Sequence, residues 1–439
     1  MTQETQVREY RLCHIMEISM TPDSPPLQAA FEHQDEIFAP AFLLLQEAIT
    51  RQAFPAASVA VAYRGQLIAL KSLGHFIYET PSGELTAGAP SFPRSVREGG
   101  DFDSDITPTT LFDLASLTKV VATTTMAMLL YERGLLDLEA PVSAIVPEFI
   151  HDAARDPRRH EVTLRMLLAH SSGLPAYAKL FLKARTRDEL LQAAFTTPLT
   201  ADPATRAEYS DIGFIILGIA LERLADETLD RFCQREIFAP LAMTNTTFNP
   251  PLEIRAQIPP TADEREEPCG SDTPVRQMPA PQPPPGASPA IRNTFRQRLI
   301  QGEVQDENAS VLGGVAPHAG LFSTAQDLAK FAHAMLNGGH PILRSGTVSL
   351  FTRREPAPTA TSRALGWDTP SASSQSGKYF SPNSFGHLGY TGTSLWIDPS
   401  RQLSITLLTN RTWPDCSHQA IKQLRPNFHD AIIEAIDGI

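Results

Sequence analysis

Residues 111–122 read LFDLASLTKVVA, and this stretch decides the expected fold and site. Ser116 stands at the predicted start of a helix, and Lys119 follows one turn later, ahead of the apolar run VVATTTMAMLL. Residues three apart lie on one face of a helix, so we expect the two side chains to be neighbours. Because burial disfavours an ammonium group, we expect Lys119 to have a depressed pKa. An amine of that kind can activate an adjacent serine hydroxyl as a nucleophile.

The spacing of Ser116 and Lys119 also has a purely structural interpretation, in which the serine caps a helix and the lysine reaches solvent. Two features of the sequence favour the catalytic interpretation. The chain has seven lysines, and Lys119 alone has a serine three positions before it. No charged residue follows Lys119 before Glu132, so this part of the helix is expected to be buried.

The composition is that of a large globular protein, with 439 residues of which 42% are hydrophobic and 20% are charged. The formal net charge of −12, without any block of lysine and arginine, argues against nucleic acid or an anionic membrane as a partner. The first segment, MTQETQVREYRLCHIMEISM, lacks the apolar core of a signal peptide, and no apolar run has the length of a transmembrane helix. These features predict a cytoplasmic protein.

The cysteines and acidic clusters do not have the spacing of a metal site. The four cysteines are scattered without a CxxC pair, and we expect free thiols, with two disulfides as the alternative. Residues 101–105 read DFDSD like the start of a calcium loop, but Ile106 and Phe112 occupy the positions that require glycine and glutamate. HExxH, GxSxG and Gly-rich phosphate motifs are missing from the sequence. The sequence therefore predicts neither a metal nor an organic cofactor.

Hydrophobic periodicity predicts strands near both ends of the chain and helices between them. Residues 57–76, ASVAVAYRGQLIALKSLGHF, predict two strands joined at Arg64-Gly65, and FGHLGYTGTSLWIDPS with QLSITLLTN predict an antiparallel meander. Strands at both ends imply one sheet shared by the two ends of the chain. Helices are expected at residues 40–51, at 116–134, in LRMLLAHSSGLP, in YSDIGFIILGIALERLAD, in STAQDLAKFAHAMLNGG and at 420–436.

The expected fold class is α/β (α+β), an antiparallel sheet flanked by helices, with a mainly helical domain beside it. Residues 27–115 and 310–439 are expected to form the sheet domain, and residues 116–309 the helical domain. Three stretches are expected outside the core: a poorly ordered N-terminus (1–26), a surface loop (80–107) and a proline-rich insertion (258–290).

The segment FDLASLTKVVATTTMAMLLYERGLLDLEAPV (residues 112–142) resembles the nucleophile helix of the penicillin-recognising, or SxxK, serine hydrolases. Later segments resemble the same family: LLAHSSGLP, YSDIGFIILG, GGVAPHAGLFSTAQDLAKFAHAMLNGG and GHLGYTGTSLWIDPSRQLSITLLTN. The resemblance runs from about residue 40 to the C-terminus and is greatest to the group of class C β-lactamases, DD-peptidases, D-aminopeptidases and β-lactamase-like esterases. It implies a β-lactamase/DD-peptidase-like fold with the active site between sheet and helical domain.

Tyr209 opens the second motif, which reads Tyr-Ser-Asp where the family has Tyr-x-Asn. The resemblance implies that Tyr209 exchanges a proton with Ser116 and the leaving group, with its pKa lowered by the Lys119 ammonium. Asp211 departs from the family's asparagine, and an ionised carboxylate accepts hydrogen bonds without donating any. Asp211 is therefore expected to hold Lys119 charged and to position the substrate without donating to its carbonyl.

His387 opens the third motif, His-Leu-Gly, where β-lactamases have Lys-Thr-Gly. The resemblance implies that a neutral His387 imidazole donates one hydrogen bond near the substrate, and that Gly389 lets the substrate approach the strand closely. By the family pattern, the backbone N–H groups of Ser116 and Tyr390 form the oxyanion hole.

The motifs together predict a serine hydrolase that acts through an acyl-enzyme on a small carboxylic ester or amide. An amidase or DD-peptidase of cell-wall-derived muropeptides is an alternative, because GEVQDENA and GGVAPHAGLFST resemble a subgroup associated with cell-wall turnover. β-Lactam hydrolysis is disfavoured by the departures at Asp211 and His387. We expect His170 and His318, which lie in family-like segments, to be structural.

A non-catalytic binding protein that keeps the fold is the alternative from another class. Asp211 and the proline-rich insertion favour this alternative. The intact Ser116, Lys119 and Tyr209 argue against it, because a binding protein has no need of an activated nucleophile.

Overall fold

The computed structural model describes residues 26–78, 106–150, 156–264, 296–414, 416 and 418–438. Its strands are β1 (Gln28–Ala29), β2 (Ala56–Tyr63), β3 (Gln66–Gly74), β4 (Phe112–Asp113), β5 (Thr247–Phe248), β6 (Ala262–Asp263), β7 (Leu299–Ile300), β8 (Leu321–Ser323), β9 (Phe385–Leu388), β10 (Ser394–Asp398) and β11 (Leu403–Thr409).

The α-helices follow the same chain order. They are α1 (Gln34–Ile37), α2 (Ala39–Thr50), α3 (Thr125–Glu132), α4 (Val142–Ile145), α5 (Leu164–Leu168), α6 (Arg187–Phe195), α7 (Asp211–Ala225), α8 (Leu229–Cys233), α9 (Leu252–Arg255), α10 (Glu307–Val311), α11 (Ala325–Leu336), α12 (Ser345–Thr352) and α13 (Ile421–Asp437). Short 3₁₀ turns are found at Ala115–Leu117, Pro147–Ile150, Pro157–Glu161 and Leu180–Leu182, and π-helical turns at Lys119–Thr124 and Gln234–Phe238.

The main sheet joins the two ends of the chain, as the strand pattern predicts. Its six strands lie in the order β1-β3-β2-β11-β10-β9. The central pair β2 and β11 is antiparallel, with Tyr63 opposite Leu403 and Ala57 opposite Thr409. The Ala56 N–H donates to Asn410 Oδ1 at 3.1 Å, which links positions 354 residues apart. The short strand β1 runs parallel to β3 and is the exception in an otherwise antiparallel sheet.

Both faces of this sheet are covered, which explains why the central strand AASVAVAY is apolar at almost every position. On one face, α2 and α13 pack over a core that includes Val59, Val61 and Ile405. On the other face, Ala60 and Leu408 join a larger core shared with α11 and the helices of the middle of the chain. The expected α/β (α+β) class, a sheet flanked by helices, is confirmed.

Three predicted helices, α2, α7 and α13, lie within two residues of their expected bounds. The helix expected at residues 116–134 is one helical path, but it changes from 3₁₀ to π to α geometry before Glu132. Strand β6 lies within the proposed insertion 258–290. The described residues do not include the rest of that insertion from residue 265, residues 1–25 or most of the loop at 80–107.

Two further expectations concern cysteines and membranes. Cys233 is a free, buried thiol, but Cys416 is disulfide-bonded, so the expectation of free thiols is wrong at that position. In the part of the chain that the structure describes, no helix combines the length and apolar character needed to cross a bilayer.

Helix α7 approaches the segment before β8 at a glycine. A Cβ atom on Gly218 would lie 1.9 Å from Cγ of Pro317, so only a glycine permits this packing. Pro317 precedes His318, and Thr123 of the π-helical turn donates to the Pro317 carbonyl oxygen at 2.6 Å. The close approach of α7 therefore fixes the backbone that leads into β8.

We expect Gly218→Ala to lower the free energy of unfolding by about 1–3 kcal/mol, because overpacking outweighs the higher helix propensity of alanine. Chemical denaturation measures the change. Gly346→Ala is the matched control, since Gly346 also lies in a helix and an added Cβ would contact nothing within 4 Å. Equal stability of the two variants would contradict the packing argument.

Candidate active site

The backbone immediately before Ser116 forms a strained turn. Ala115 has a φ of 47°, in the left-handed region that residues with a Cβ seldom adopt. Asp113 supports the turn, because Oδ1 accepts from the Ala115 N–H at 2.8 Å and Oδ2 accepts from the Gln305 N–H at 2.7 Å. Burial raises the pKa of Asp113 to about 6, although these two N–H groups lower it. The turn presents a half-buried Ser116 to a cavity of about 400 Å³.

The turn between β9 and β10 is tied to the same backbone. Thr391 Oγ1 donates to the Asp113 carbonyl oxygen at 2.8 Å, and Thr393 Oγ1 donates to that of Leu114 at 3.0 Å. A Cβ on Gly389 would lie 1.9 Å from Thr393 Oγ1 and 2.5 Å from the Leu114 oxygen. Packing against the turn before Ser116 thus requires glycine at 389, and the sequence alone did not reveal this reason.

Lys119 lies in a π-helical turn, a geometry frequent at functional sites, and its side chain is fully buried. Its ammonium group contacts three oxygen atoms: Ser116 Oγ at 3.1 Å, the His318 carbonyl at 2.9 Å and Asp211 Oδ1 at 2.6 Å. Ser116 Oγ and the His318 carbonyl accept hydrogen bonds from this ammonium group, and Asp211 forms an ion pair with it. The structure thereby brings Ser116, Lys119 and Asp211 together.

The expected depression of the Lys119 pKa is wrong. Burial lowers this pKa, but the Asp211 carboxylate and the Tyr209 phenol raise it, and the result is a pKa above the usual lysine value. Asp211 therefore holds Lys119 as an ammonium, as its carboxylate was expected to do. The sequence showed that Lys119 is buried but not how close its counter-charge lies.

Tyr209 lies beside Lys119, whose Nζ is 4.9 Å from the centre of the phenol ring. Burial raises the pKa of Tyr209, Lys119 lowers it and Asp211 raises it, so the net shift is upward and the expected lowering is wrong. The phenol oxygen is buried and forms no hydrogen bond of regular geometry with the described residues, although Lys119 and Ser116 are close enough to affect its pKa. Tyr209 is therefore neutral in the resting protein.

His170 holds the segment that carries Tyr209 and Asp211. Its Nδ1 accepts from the Ser210 N–H at 3.0 Å, and its ring lies 4.7 Å from that of Tyr209. Ser210 in turn caps α7, because its Oγ accepts from the Gly213 N–H at 3.0 Å. Asp211 is consequently fixed at the N-terminus of α7, where the helix dipole favours a negative charge.

His387 lines the cavity from strand β9. Its Nδ1 lies 2.8 Å from the Leu388 carbonyl oxygen, so Nδ1 carries the proton and donates to that oxygen. Burial and the cations Lys119 and Arg363 lower the pKa of His387 well below its usual value, which keeps the ring neutral. Nε2 is buried without a partner among the described residues and can only accept a hydrogen bond. In this tautomer His387 presents a hydrogen-bond acceptor to the cavity, whereas a donor was expected.

An acidic wall of the cavity was not identified from the sequence. Asp306 Oδ1 lies 2.9 Å from His318 Nε2, and the nearby His318 lowers the Asp306 pKa although burial raises it. Burial and the adjacent Asp306 charge raise the pKa of Glu307 to about 7, and Tyr177 donates to its carboxylate at 3.3 Å. The only sequence signal was the segment GEVQDENA, which includes both acids. His318 contacts Lys119 through its backbone carbonyl oxygen and this wall through its ring.

Cationic side chains also line the cavity. The Cζ atom of Arg363 lies 5.3 Å from the centre of the Tyr209 ring. Its Nη1 atom lies 3.7 Å from Oδ2 of Asp368. Arg411 lies with Cζ 4.4 Å from the Tyr390 ring centre, and its Nε donates to the Tyr390 carbonyl oxygen at 2.7 Å. Tyr390 and Ser116 line the same cavity, as the proposed oxyanion hole requires. The described residues contain no cluster of three or more His, Cys, Asp or Glu side chains suited to a metal ion.

Comparison with known proteins gives the family. The Beta-lactamase family profile matches residues 29–425, and the chain belongs to that family. It is 34% identical over 320 residues to the N-acetylmuramyl-L-alanine amidase of Bacillus subtilis (strain 168), covering 69% of this chain and 68% of that protein. It is 32% identical over 324 residues to a putative D-alanyl-D-alanine carboxypeptidase of Salmonella agona, covering 70% of each chain.

Among solved structures, the fold is similar to that of EstCE1, a hydrolase with promiscuous acyltransferase activity. The TM-score is 0.65 at 19% identity, covering 91% of this chain and 99% of that one. The match to the Beta-lactamase family and its hydrolases confirms the predicted class: this chain is a serine hydrolase that acts on an ester or amide carbonyl.

The Lys119 pKa is open to direct measurement. We expect the ¹³Cε resonance of Lys119 to keep its ammonium chemical shift to about pH 10 in the wild type and to titrate at lower pH in Asp211→Asn, because burial remains while the counter-charge is removed. NMR of lysine-labelled protein, assigned with Lys119→Met, gives the two curves. Asp368→Asn, which changes another carboxylate of the cavity, should leave the Lys119 curve in place. An unshifted curve in Asp211→Asn would contradict the assigned cause.

Proposed function

We propose that the chain hydrolyses an amide bond of muramyl peptides and that Ser116 is its nucleophile. The observation that carries the choice of an amide is a hydrogen-bond acceptor on the cavity wall, Nε2 of His387, which is buried without a partner among the described residues. The N–H of an amide substrate can donate to such an acceptor, whereas the corresponding oxygen of an ester cannot. A buried acceptor left unpaired costs about 1–3 kcal/mol, so this cavity favours substrates that carry a donor.

The proton of Ser116 passes to the pair formed by Lys119 and Tyr209. Asp211 raises the pKa of both groups, so the pair is fully protonated in the resting protein. Loss of one proton from the pair creates a base in contact with Ser116 Oγ, which lies 3.1 Å from Lys119 Nζ. The reactive fraction therefore grows with pH, and Oγ attacks the substrate carbonyl carbon as its proton is transferred.

The tetrahedral oxyanion is stabilised by the backbone N–H groups of Ser116 and Tyr390. Its collapse breaks the C–N bond, and the amine leaves with the proton that Ser116 gave up. The resulting acyl-enzyme is an ester of Ser116. Water then attacks this ester, with the Lys119–Tyr209 pair as base, and releases the carboxylic acid and the free serine.

The names of the two relatives support an amide of the cell wall. One describes an amidase of N-acetylmuramyl-L-alanine, and the other a putative carboxypeptidase of D-alanyl-D-alanine. Both names describe hydrolysis of an amide bond beside an alanine. The cations of the cavity support a peptide substrate as well, because Lys179, Arg363 and Lys422 line the cavity and can attract the carboxylates of a peptide.

Ser116→Ala is expected to abolish turnover and covalent labelling while the fold stays intact. Intact-protein mass spectrometry after exposure to a fluorophosphonate should show one adduct, mapped to Ser116, in the wild type and none in the variant. Ser171→Ala is the control, because Ser171 is a buried serine that does not line the cavity. Full turnover in Ser116→Ala with normal circular dichroism would refute the assigned nucleophile, and an adduct would exclude the binding-protein alternative.

The substrate class is tested with four compounds: an N-acetylmuramyl-L-alanyl peptide, a D-alanyl-D-alanine peptide, a p-nitrophenyl ester and a chromogenic cephalosporin. We expect the highest kcat/KM on the muramyl peptide. His387→Phe is expected to lower that value about three- to tenfold, through loss of one hydrogen bond, and to change ester hydrolysis less. His340→Phe is the control, since His340 also has a buried unpaired nitrogen but lies outside the cavity lining. Turnover of the ester alone would overturn the proposal.

A further inference from the structure

A buried guanidinium group lies directly behind the peptide that links Gly389 to Tyr390. Arg425, on α13, is 4% exposed. It donates to four oxygen atoms: the carbonyls of Gly389 at 2.6 Å, Thr393 at 3.0 Å and Gly392 at 3.3 Å, and Gln375 Oε1 at 3.0 Å. None of the described carboxylates forms an ion pair with it. The positive charge of Arg425 is thus met by neutral dipoles alone.

The hydrogen bond to Gly389 has a consequence on the other side of the same peptide. The C=O and N–H groups of a trans peptide point in opposite directions. The Gly389–Tyr390 peptide is trans, and its carbonyl accepts from Arg425 and, at 3.1 Å, from the Gly392 N–H. The Tyr390 N–H is consequently held on the side away from Arg425.

We propose that Arg425 is a positioning residue that orients and polarises the Gly389–Tyr390 peptide, making the Tyr390 N–H a stronger donor to the reaction's oxyanion. The inference rests on the function proposed above, in which that N–H stabilises the tetrahedral intermediate. A charge-assisted bond at the carbonyl strengthens the bond that the N–H of the same peptide makes, because hydrogen bonds in a chain polarise one another. The oxyanion is also a negatively charged partner for Arg425, and this charge exists only during the reaction.

Arg411 holds the next peptide in the same way. Its Nε donates to the Tyr390 carbonyl oxygen, and its backbone N–H donates to that of Thr391 at 2.9 Å. Burial and the positive charge of Arg411 together lower the pKa of Arg425 to about 9. Both peptides that flank Tyr390 are therefore held by cations, and Arg425 remains charged at neutral pH.

The chain offers a matched control for the loss of a buried guanidinium. Arg159 is 3% exposed and donates to the carbonyls of Phe149 at 2.6 Å, Thr197 at 2.8 Å and Phe195, yet it does not line the cavity. Arg159→Met and Arg425→Met remove the same group from the same kind of carbonyl cage. We expect both variants to lower the midpoint of thermal unfolding, and only Arg425→Met to change the chemistry.

The test compares kcat, KM and the affinity for a boronic acid, which forms a tetrahedral adduct with a nucleophilic serine. In Arg425→Met, kcat is expected to fall about ten- to hundredfold with KM nearly unchanged, and the boronic acid is expected to lose affinity by the same factor. Arg159→Met is expected to keep the wild-type values of all three. Equal kcat in the two variants, or a change confined to KM, would overturn the inference.

Arg425→Lys keeps the test decisive if the methionine variant fails to fold. A lysine retains the positive charge but not the planar guanidinium with its fixed N–H donors. We therefore expect a kcat loss below tenfold with a parallel loss of boronic acid affinity. A kcat loss without the parallel loss would reject the role. Activity retained in Ser116→Ala would instead reject the proposed function, so the two failures are distinguishable.

Discussion

The ammonium group of Lys119 is the contact on which the site depends. The three oxygen atoms that it contacts come from Ser116, from the N-terminus of α7 and from the segment that leads into β8. A charge that is fully buried is tolerated only when each of its hydrogens is satisfied, and removal of one partner from such a pair costs about 3–5 kcal/mol. The geometry of Ser116 therefore cannot be separated from the positions of Asp211 and His318.

Asp211 stabilises the charge of Lys119 and also limits the basicity of the Lys119–Tyr209 pair. The carboxylate keeps Lys119 charged and Tyr209 protonated, so the pair has little basicity until a proton is removed. An asparagine in that place would leave burial to lower the lysine pKa and would supply an N–H donor. The present site instead has a carboxylate at Asp211 and an acceptor nitrogen at His387, and in the function proposed above this polarity favours substrates that carry a hydrogen-bond donor.

The sequence predicted the fold well because its strands and helices depend on local periodicity. The bounds of α7 and α13 and the sheet joining both chain ends could be obtained from apolar patterns and turn residues. The direction of the Lys119 pKa could not, since it depends on a distance of 2.6 Å between residues 92 positions apart in the sequence. The His387 tautomer depends likewise on one carbonyl oxygen, and Glu307 enters the cavity only through the tertiary fold.

The central sheet has a consequence for the order in which the protein can fold. Strand β2 pairs with β11, and Ala57 lies opposite Thr409, so the pair forms only after the chain has been synthesised beyond residue 409. The turn from β9 to β10 that fixes the backbone ahead of Ser116 is made equally late. A nascent chain on the ribosome therefore carries Ser116 and Lys119 before the turn that fixes the backbone ahead of Ser116 has formed.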